Sequence, residues 1–209
     1  MNNSPLSDLL SPLQLEHAAR CIEQAQSIAI ITHQNPDGDA LGSSLAMRHF
    51  LLSLGKHTVT NIVPTSFPDF LAWLPGLDSV IQYEQQPEAA AAALREADLV
   101  ICTDLGESTR VAALSPVLTE RFDSYTASRT SVNSANSALL IIDHHLSRVC
   151  TDQPEQIAYP ECASASELVF RLAYQLGKLS LTPDFATCIY TGMMTDTGNF
   201  SYNSCHPEM

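Results

Sequence analysis

Eight side chains stand out by type and spacing. They are His33, Asp37 and Asp39 in THQNPDGDALGSS, Asp104 in VICTDLGES, Asp143, His144 and His145 in ALLIIDHH, and Asp196 in MTDTGNF. Taken singly, each has an ordinary explanation. Asp37-Gly38-Asp39 suits a turn, Asp104 a residue at a helix N-terminus, Asp196 a solvated helix end, and the two histidines one buried and one exposed ring. Taken together they make a set of carboxylates and imidazoles without a thiolate. That mix suits Mn²⁺ or Mg²⁺, with Co²⁺ or Zn²⁺ as alternatives, better than a structural zinc. Five aspartates and three histidines exceed the needs of one ion. Two ions about 3.5–4 Å apart, sharing a carboxylate, would use them, and such a pair activates water for in-line attack on phosphorus.

These residues need elements that carry them to one place. Continuous apolar runs at 27–33, 98–104 and 138–145 read as strands buried on both faces, as in a parallel sheet, with a further strand at 57–63 and a short one at 78–83. Helical spacing covers 6–26, where Ser11 is a candidate N-cap followed by Pro12. It recurs at 40–55, 87–97, 108–122 (with Pro116 as a break), 164–177 and 182–198. FPDFLAWLPG at 67–76 reads as a short helix closed by Pro-Gly, with Trp73 as a core or hinge residue. The polar stretch 123–137, without periodicity, reads as a surface insertion. The alternation predicts an α/β fold, a mainly parallel β-sheet flanked by helices. In such sheets ligands bind beyond the carboxyl ends of the strands, where these side chains converge. No glycine-rich dinucleotide fingerprint follows any strand.

The chain has 209 residues, with 10 Lys and Arg against 23 Asp and Glu, a net charge of −13. An acidic surface argues against holding long nucleic acid, which needs a basic face. It leaves open a short phosphorylated substrate held at metals that invert the local field. No apolar run approaches the ~20 residues of a membrane span, and the N-terminus has no signal-peptide pattern, so a cytoplasmic location is expected. The six cysteines form no C-x-x-C pair and read as reduced, partly buried thiols.

The run H-x-x-P-D-G-D-A-x-G-S at 33–43, Asp104, Asp143-His144-His145 and Asp196 in TDTGNF resembles, in order, the four motifs of the DHH phosphoesterase superfamily. With Ala165-Ser166-Glu167-Leu168 and TDTGNFSY at 195–202, it looks most like the bifunctional oligoribonuclease and 3'-phosphoadenosine 5'-phosphate phosphatase subgroup. The resemblance implies two divalent ions, Mn²⁺ foremost and Mg²⁺ or Co²⁺ next. It places His33, Asp37 and Asp104 on the first, and Asp39, Asp104, His144 and Asp196 on the second, with Asp104 as bridge. It implies that His145 meets a substrate phosphate and that Asp143 orients the histidines. Asp104, Asp143 and His145 are then the catalytic set. Gly38 and Gly42 would allow a tight loop and a close helix approach. Ser43 and Ser44 would cap the following helix, or else bind phosphate. Arg110 and Arg148 are candidate phosphate contacts, or else surface charges. His17, His49 and His57 carry no motif.

The expected activity is hydrolysis of short oligoribonucleotides, of the 3'-phosphate of 3'-phosphoadenosine 5'-phosphate, or of both. A cyclic- or linear-dinucleotide phosphodiesterase and a non-catalytic nucleotide-binding module are the alternatives, and a homodimer is compatible with the family. Family members of this type carry a C-terminal substrate-binding domain, to which nothing here corresponds. The 209 residues are therefore read as one catalytic domain of a longer protein, weak on oligonucleotides by itself, with 123–137 as an insertion.

Overall fold

The computed structural model describes residues 6, 8–130, 138–145 and 153–202. Ser11 caps the first helix, α1 (Pro12–Gln24), in a capping box with Gln14. The helical spacing seen from residue 6 thus becomes helix only after Pro12. Strand β1 (Ile28–Ile31) leads through the 32–37 loop into α2 (Gly38–Ser53), and Gly55 then takes a left-handed φ of 80°. After β2 (Val59–Val63), the predicted 67–76 helix is only a single 3-10 turn at Asp69–Leu71. Trp73 is 60% exposed rather than in the core. Its neighbours Leu71 and Leu74 take the buried positions of that turn, which leaves the indole facing solvent. The strand expected at 78–83 shrinks to β3 (Ile81–Gln82).

Next come α3 (Pro87–Glu96), β4 (Leu99–Thr103), a 3-10 segment at Ser108–Leu114, and α4 (Ser115–Thr130). Two expectations change here. Pro116 sits in the first turn of α4, where its missing N–H costs nothing. The break lies upstream, where Val111 and Ala112 leave helical geometry. Residues 123–130 of the predicted insertion are the last turns of α4. Val117, Leu118, Phe122 and Tyr125 pack into the core, and this packing stabilises a helix that continues into the polar sequence. Residues 131–137 lie outside the described residues. Strand β5 (Ala138–Asp143) is followed by β6 (Gln156–Ala158), then α5 (Ala165–Gln175) and α6 (Pro183–Asp196). At three residues, one of them Gln156, β6 left no apolar run to read.

The described strands form one parallel sheet in the order β3-β2-β1-β4-β5-β6. Strand residues alternate between two cores. Ile28, Ile30, Ile101 and Ile142 face α1, α2, α5 and α6, while Ala29, Ile31, Val100 and Ile141 face α3 and α4. The order of strand addition reverses between β1 and β4, the switch point at which open sheets of this kind form a crevice. Cys21, Cys102, Cys162 and Cys188 are buried free thiols. Among the described residues, no helix is long and apolar enough to cross a membrane.

Candidate metal centre

Register alone aligns much of the site. Ile31 pairs with Cys102, and Thr103 with Ile142. Continuing each pairing past the strand ends puts His33, Asp104 and Asp143 in one row at the carboxyl edge. Asp104 has a left-handed φ of 54°, uncommon for a residue with a Cβ, and still donates its N–H to Ile142 O at 2.9 Å.

Two helices add the remaining carboxylates. Asp37 is the N-cap of α2. Its Oδ1 accepts the N–H groups of Asp39 and Ala40, both at 3.0 Å, leaving Oδ2 toward His33. Helix α6 lies close against α2. A methyl group on Gly42 would come within 2.6 Å of Cys188 O, and one on Gly38 would overlap the Thr195 side chain. Glycine is therefore needed for the close helix approach, and the N-terminus of α2 meets the C-terminus of α6. Asp196 thus reaches Asp39. A carboxylate at a helix C-terminus opposes the helix dipole, so its position asks for a cation.

Three groups result, each with ligand atoms within 4.8 Å of one another: His33, Asp37 and Asp104; Asp39, His144 and Asp196; and Asp104, His144 and His145. Asp104 Oδ2 lies 3.2 Å from His33 Nε2. Its other oxygen, Oδ1, lies 3.6 Å from His144 Nε2 and 3.3 Å from His145 Nδ1. His144 Nε2 is 3.1 Å from Asp196 Oδ2 and 3.8 Å from Asp39 Oδ2. His145 Nδ1 donates to Asp143 Oδ1 at 2.8 Å, which turns its Nε2 outward. His33 Nδ1 donates to Gln34 O at 2.7 Å, so Nε2 is the nitrogen turned toward Asp104 and Asp37.

The electrostatics are those of a cation site. Burial raises the pKa of Asp39 well above the usual carboxylate value, and the nearby Asp104 and Asp196 charges push it further. Burial would also raise Asp104, but the imidazoles of His144 and His33 outweigh it and hold that carboxyl low. His144 goes the other way. Burial opposes its charge, yet Asp104, Asp196 and Asp39 push it up to about 11. Among the described residues, the ion pairs of these aspartates are with histidine alone. Asp104 Oδ1 is buried and accepts no hydrogen bond. A buried, unbonded carboxylate oxygen between imidazoles fits a divalent ion in both chemistry and charge.

Other expectations fare differently. Ser43 and Ser44 neither cap α2 nor face a ligand. Both are buried and donate to Ala40 O and Leu41 O, because Asp37 already fills the cap. Arg110 acts through its carbonyl, which accepts the Gln34 N–H at 2.7 Å and pins the loop after β1. Arg148 lies outside the described residues. His17 is a core histidine donating to Leu139 O. Sequence reading missed the backbone supports, namely Gln34 O, Arg110 O and the first amides of α5. Backbone groups have no residue-type signature by which to find them.

Comparison with known proteins adds a lineage. A family model described as "DHH family, N-terminal domain" matches residues 27–193. The Thermus thermophilus protein named bifunctional oligoribonuclease and PAP phosphatase NrnA is 31% identical over 183 residues, 87% of this chain and 47% of that protein. A protein of the same name from Mycoplasma pneumoniae is 24% identical over 200 residues, 91% of this chain and 52% of its own length. The chain spans about half the length of the curated relatives it matches. Among solved structures, an exopolyphosphatase-related protein from Bacteroides fragilis superposes with a TM-score of 0.84 at 38% identity, covering 97% of this chain and 55% of that one. RecJ from Thermus thermophilus in complex with Mn²⁺ superposes at 0.50 and 20% identity over 93% of this chain and 26% of its own, which establishes a shared fold.

Proposed function

This chain belongs to the DHH family, and we propose that it is a metal-dependent phosphoesterase acting on short phosphorylated nucleotides. The substrates are short oligoribonucleotides, the 3'-phosphate of 3'-phosphoadenosine 5'-phosphate, or both. The observation that carries this reading is the buried Asp104 carboxylate set between two groups of ligand atoms, with His33 on one side and His144 on the other. His33, Asp37 and Asp104 would hold one divalent ion. Asp39, Asp104, His144 and Asp196 would hold a second. The hard oxygen and imidazole donors suit Mn²⁺, the ion named for the RecJ structures of the same fold.

Divalent ions bound there supply Lewis acidity toward water and phosphoryl oxygen. The chain itself provides orientation. His33 and His145 each have one ring nitrogen committed to a fixed acceptor, Gln34 O and Asp143 Oδ1, so the other points into the crevice. The half-exposed His145 is the group placed to meet a phosphate oxygen, and Asp143 keeps its donor direction constant. The acidic remainder of the surface selects against long polyanions, and the names of the relatives support the choice of short substrates.

The test is an assay of the purified protein with Mn²⁺ on a dinucleotide, 3'-phosphoadenosine 5'-phosphate, a cyclic dinucleotide, inorganic polyphosphate and single-stranded DNA, beside the Asp104→Asn variant. Turnover of one of the first two, lost in the variant, is expected. Polyphosphate is the second reading, favoured by the name of the 38%-identical structural relative. Full activity in Asp104→Asn would overturn the metal assignment. Absence of any Mn²⁺-induced stabilisation would favour a non-catalytic module.

A further inference from the structure

The segment Ser164–Leu168 supplies none of the proposed ligands, yet its backbone reaches one of them. Ser164 is the N-cap of α5, and its Oγ accepts the Glu167 N–H at 3.1 Å. The first two amides of the helix are left without an intrahelical partner. Both are given to one carboxylate. Ala165 N–H donates to Asp39 Oδ2 at 2.6 Å and Ser166 N–H to Asp39 Oδ1 at 2.9 Å. Glu167 stiffens the same turn, accepting the Ala163 N–H with Oε2 and pairing Oε1 with Arg171 at 2.8 Å.

The opposite side is shaped by Gly192 of α6. A methyl group there would stand 2.6 Å from Asp39 Oδ1 and overlap the Ser166 side chain. Only glycine lets α5, α6 and the Asp39 carboxylate meet, and its φ is unexceptional, so the need is for space. Asp39 Oδ1 is thus enclosed by an amide and a Cα. Oδ2 keeps one face toward His144 Nε2, 3.8 Å away. Asp39 itself has no exposure.

We infer that the N-terminus of α5 and Gly192 form a positioning cradle that presents Asp39 as a one-oxygen ligand to the Asp39–His144–Asp196 metal position. The inference rests on the two-metal reading above and explains why Ala165-Ser166-Glu167 and Gly192 accompany the ligand residues. Ala165, Ser166 and Gly192 are positioning residues, acting through Asp39 rather than on substrate. The free anion site of a helix N-terminus is here filled from inside the molecule.

The test is Mn²⁺ titration calorimetry on the metal-free full chain, as wild type, Ala165→Pro and Gly192→Ala. Proline is favoured at the first position of a helix, and Ser164 already has the extended backbone (φ −161°, ψ 157°) that precedes proline. Ala165→Pro therefore keeps the helix while its ring carbon replaces the N–H and displaces the Asp39 carboxylate from its seat. Each variant should lose roughly 10–100-fold in affinity for one ion, the range for groups that orient a metal ligand, with the other ion, at His33, Asp37 and Asp104, changed by less than about twofold. Two undiminished affinities in both folded variants would overturn the cradle. A wild type that binds fewer than two ions would overturn the metal reading, and the cradle with it. If the variants fold poorly, the wild type decides. The amide proton resonances of Ala165 and Ser166 should shift during Mg²⁺ titration, and unmoved resonances would overturn the inference.

Discussion

The two edges of the parallel sheet treat charge in opposite ways. At the amino edge, the Asp98 carboxylate accepts the N–H groups of Gln26 and Ser27, both at 2.9 Å. Lys56 Nζ donates to Glu23 O and Ala25 O at the end of α1, and Arg121 donates to Ala97 O at the end of α3. Each of these three charges meets backbone of opposite polarity, and Lys56 and Arg121 do so at helix C-termini, as the helix dipole favours. At the carboxyl edge, Asp39, Asp104 and Asp196 crowd one another and Asp196 stands at the wrong end of its helix; the Ala165 and Ser166 amides hold Asp39, but among the described residues the cationic partners of these carboxylates are histidines only. The difference separates structural from functional electrostatics. One edge is complete within the chain. The other is stable enough to fold because the rest of the sheet supports it, and it is organised around cations.

Four experiments sharpen that contrast. The largest effect is expected from Asp104→Asn, which keeps a residue type tolerant of the left-handed backbone and removes the charge shared by both ligand groups. Turnover should fall on the order of 10³-fold or more, measured at saturating Mn²⁺. Next is metal itself. Mn²⁺ at about 100 times its dissociation constant should add about 2.7 kcal/mol. That raises the melting temperature by roughly 5–10 °C over the EDTA-treated protein. An unchanged melting temperature would erase the distinction between the edges.

The third and fourth make the same substitution at opposite edges. In EDTA, Asp196→Asn should leave the melting temperature within about 3 °C of wild type, since relief of the helix-end charge is offset by loss of the His144 pair, while Mn²⁺ binding weakens. Asp98→Asn should lower it slightly at pH 7, with Mn²⁺ affinity unchanged. The backbone N–H groups of Gln26 and Ser27 hold the Asp98 pKa below its ordinary value. Its contribution is therefore present above the unfolded carboxyl pKa of about 3.9 and lost as pH falls through the lower folded value. The gap between wild type and Asp98→Asn should close below about pH 4. Melting curves at pH 3 and pH 7 check the sign, and a gap that widens toward acid would contradict it.

Much of this was legible beforehand because burial writes itself into side chains. Strands β1, β4 and β5 are apolar on both faces because both faces are covered, and each ends in a polar ligand type that a buried strand would otherwise exclude. Where the signal was weak, the reading slipped. Strand β6 is three residues long, too short to show a period. The last turns of α4 have a polar sequence that hid a helix carried by Val117, Leu118, Phe122 and Tyr125. An apolar indole suggests a core or hinge position for Trp73, but Leu71 and Leu74 take the buried places around the 3-10 turn instead.

The sequence by itself determined the class of fold, the edge of the sheet at which chemistry could occur and the residue types available there, because these follow from hydrophobic period and from the scarcity of buried acids and imidazoles. Tertiary structure alone decided which atoms face one another. Strand register put His33 level with Asp104, and the glycine-lined crossing of α2 and α6 brought Asp196 to Asp39. The first amides of α5 closed on the Asp39 carboxylate. These are relations between backbone groups distant in the chain, and backbone N–H and C=O groups are the same in every residue but proline, so no pattern of side chains could have announced them.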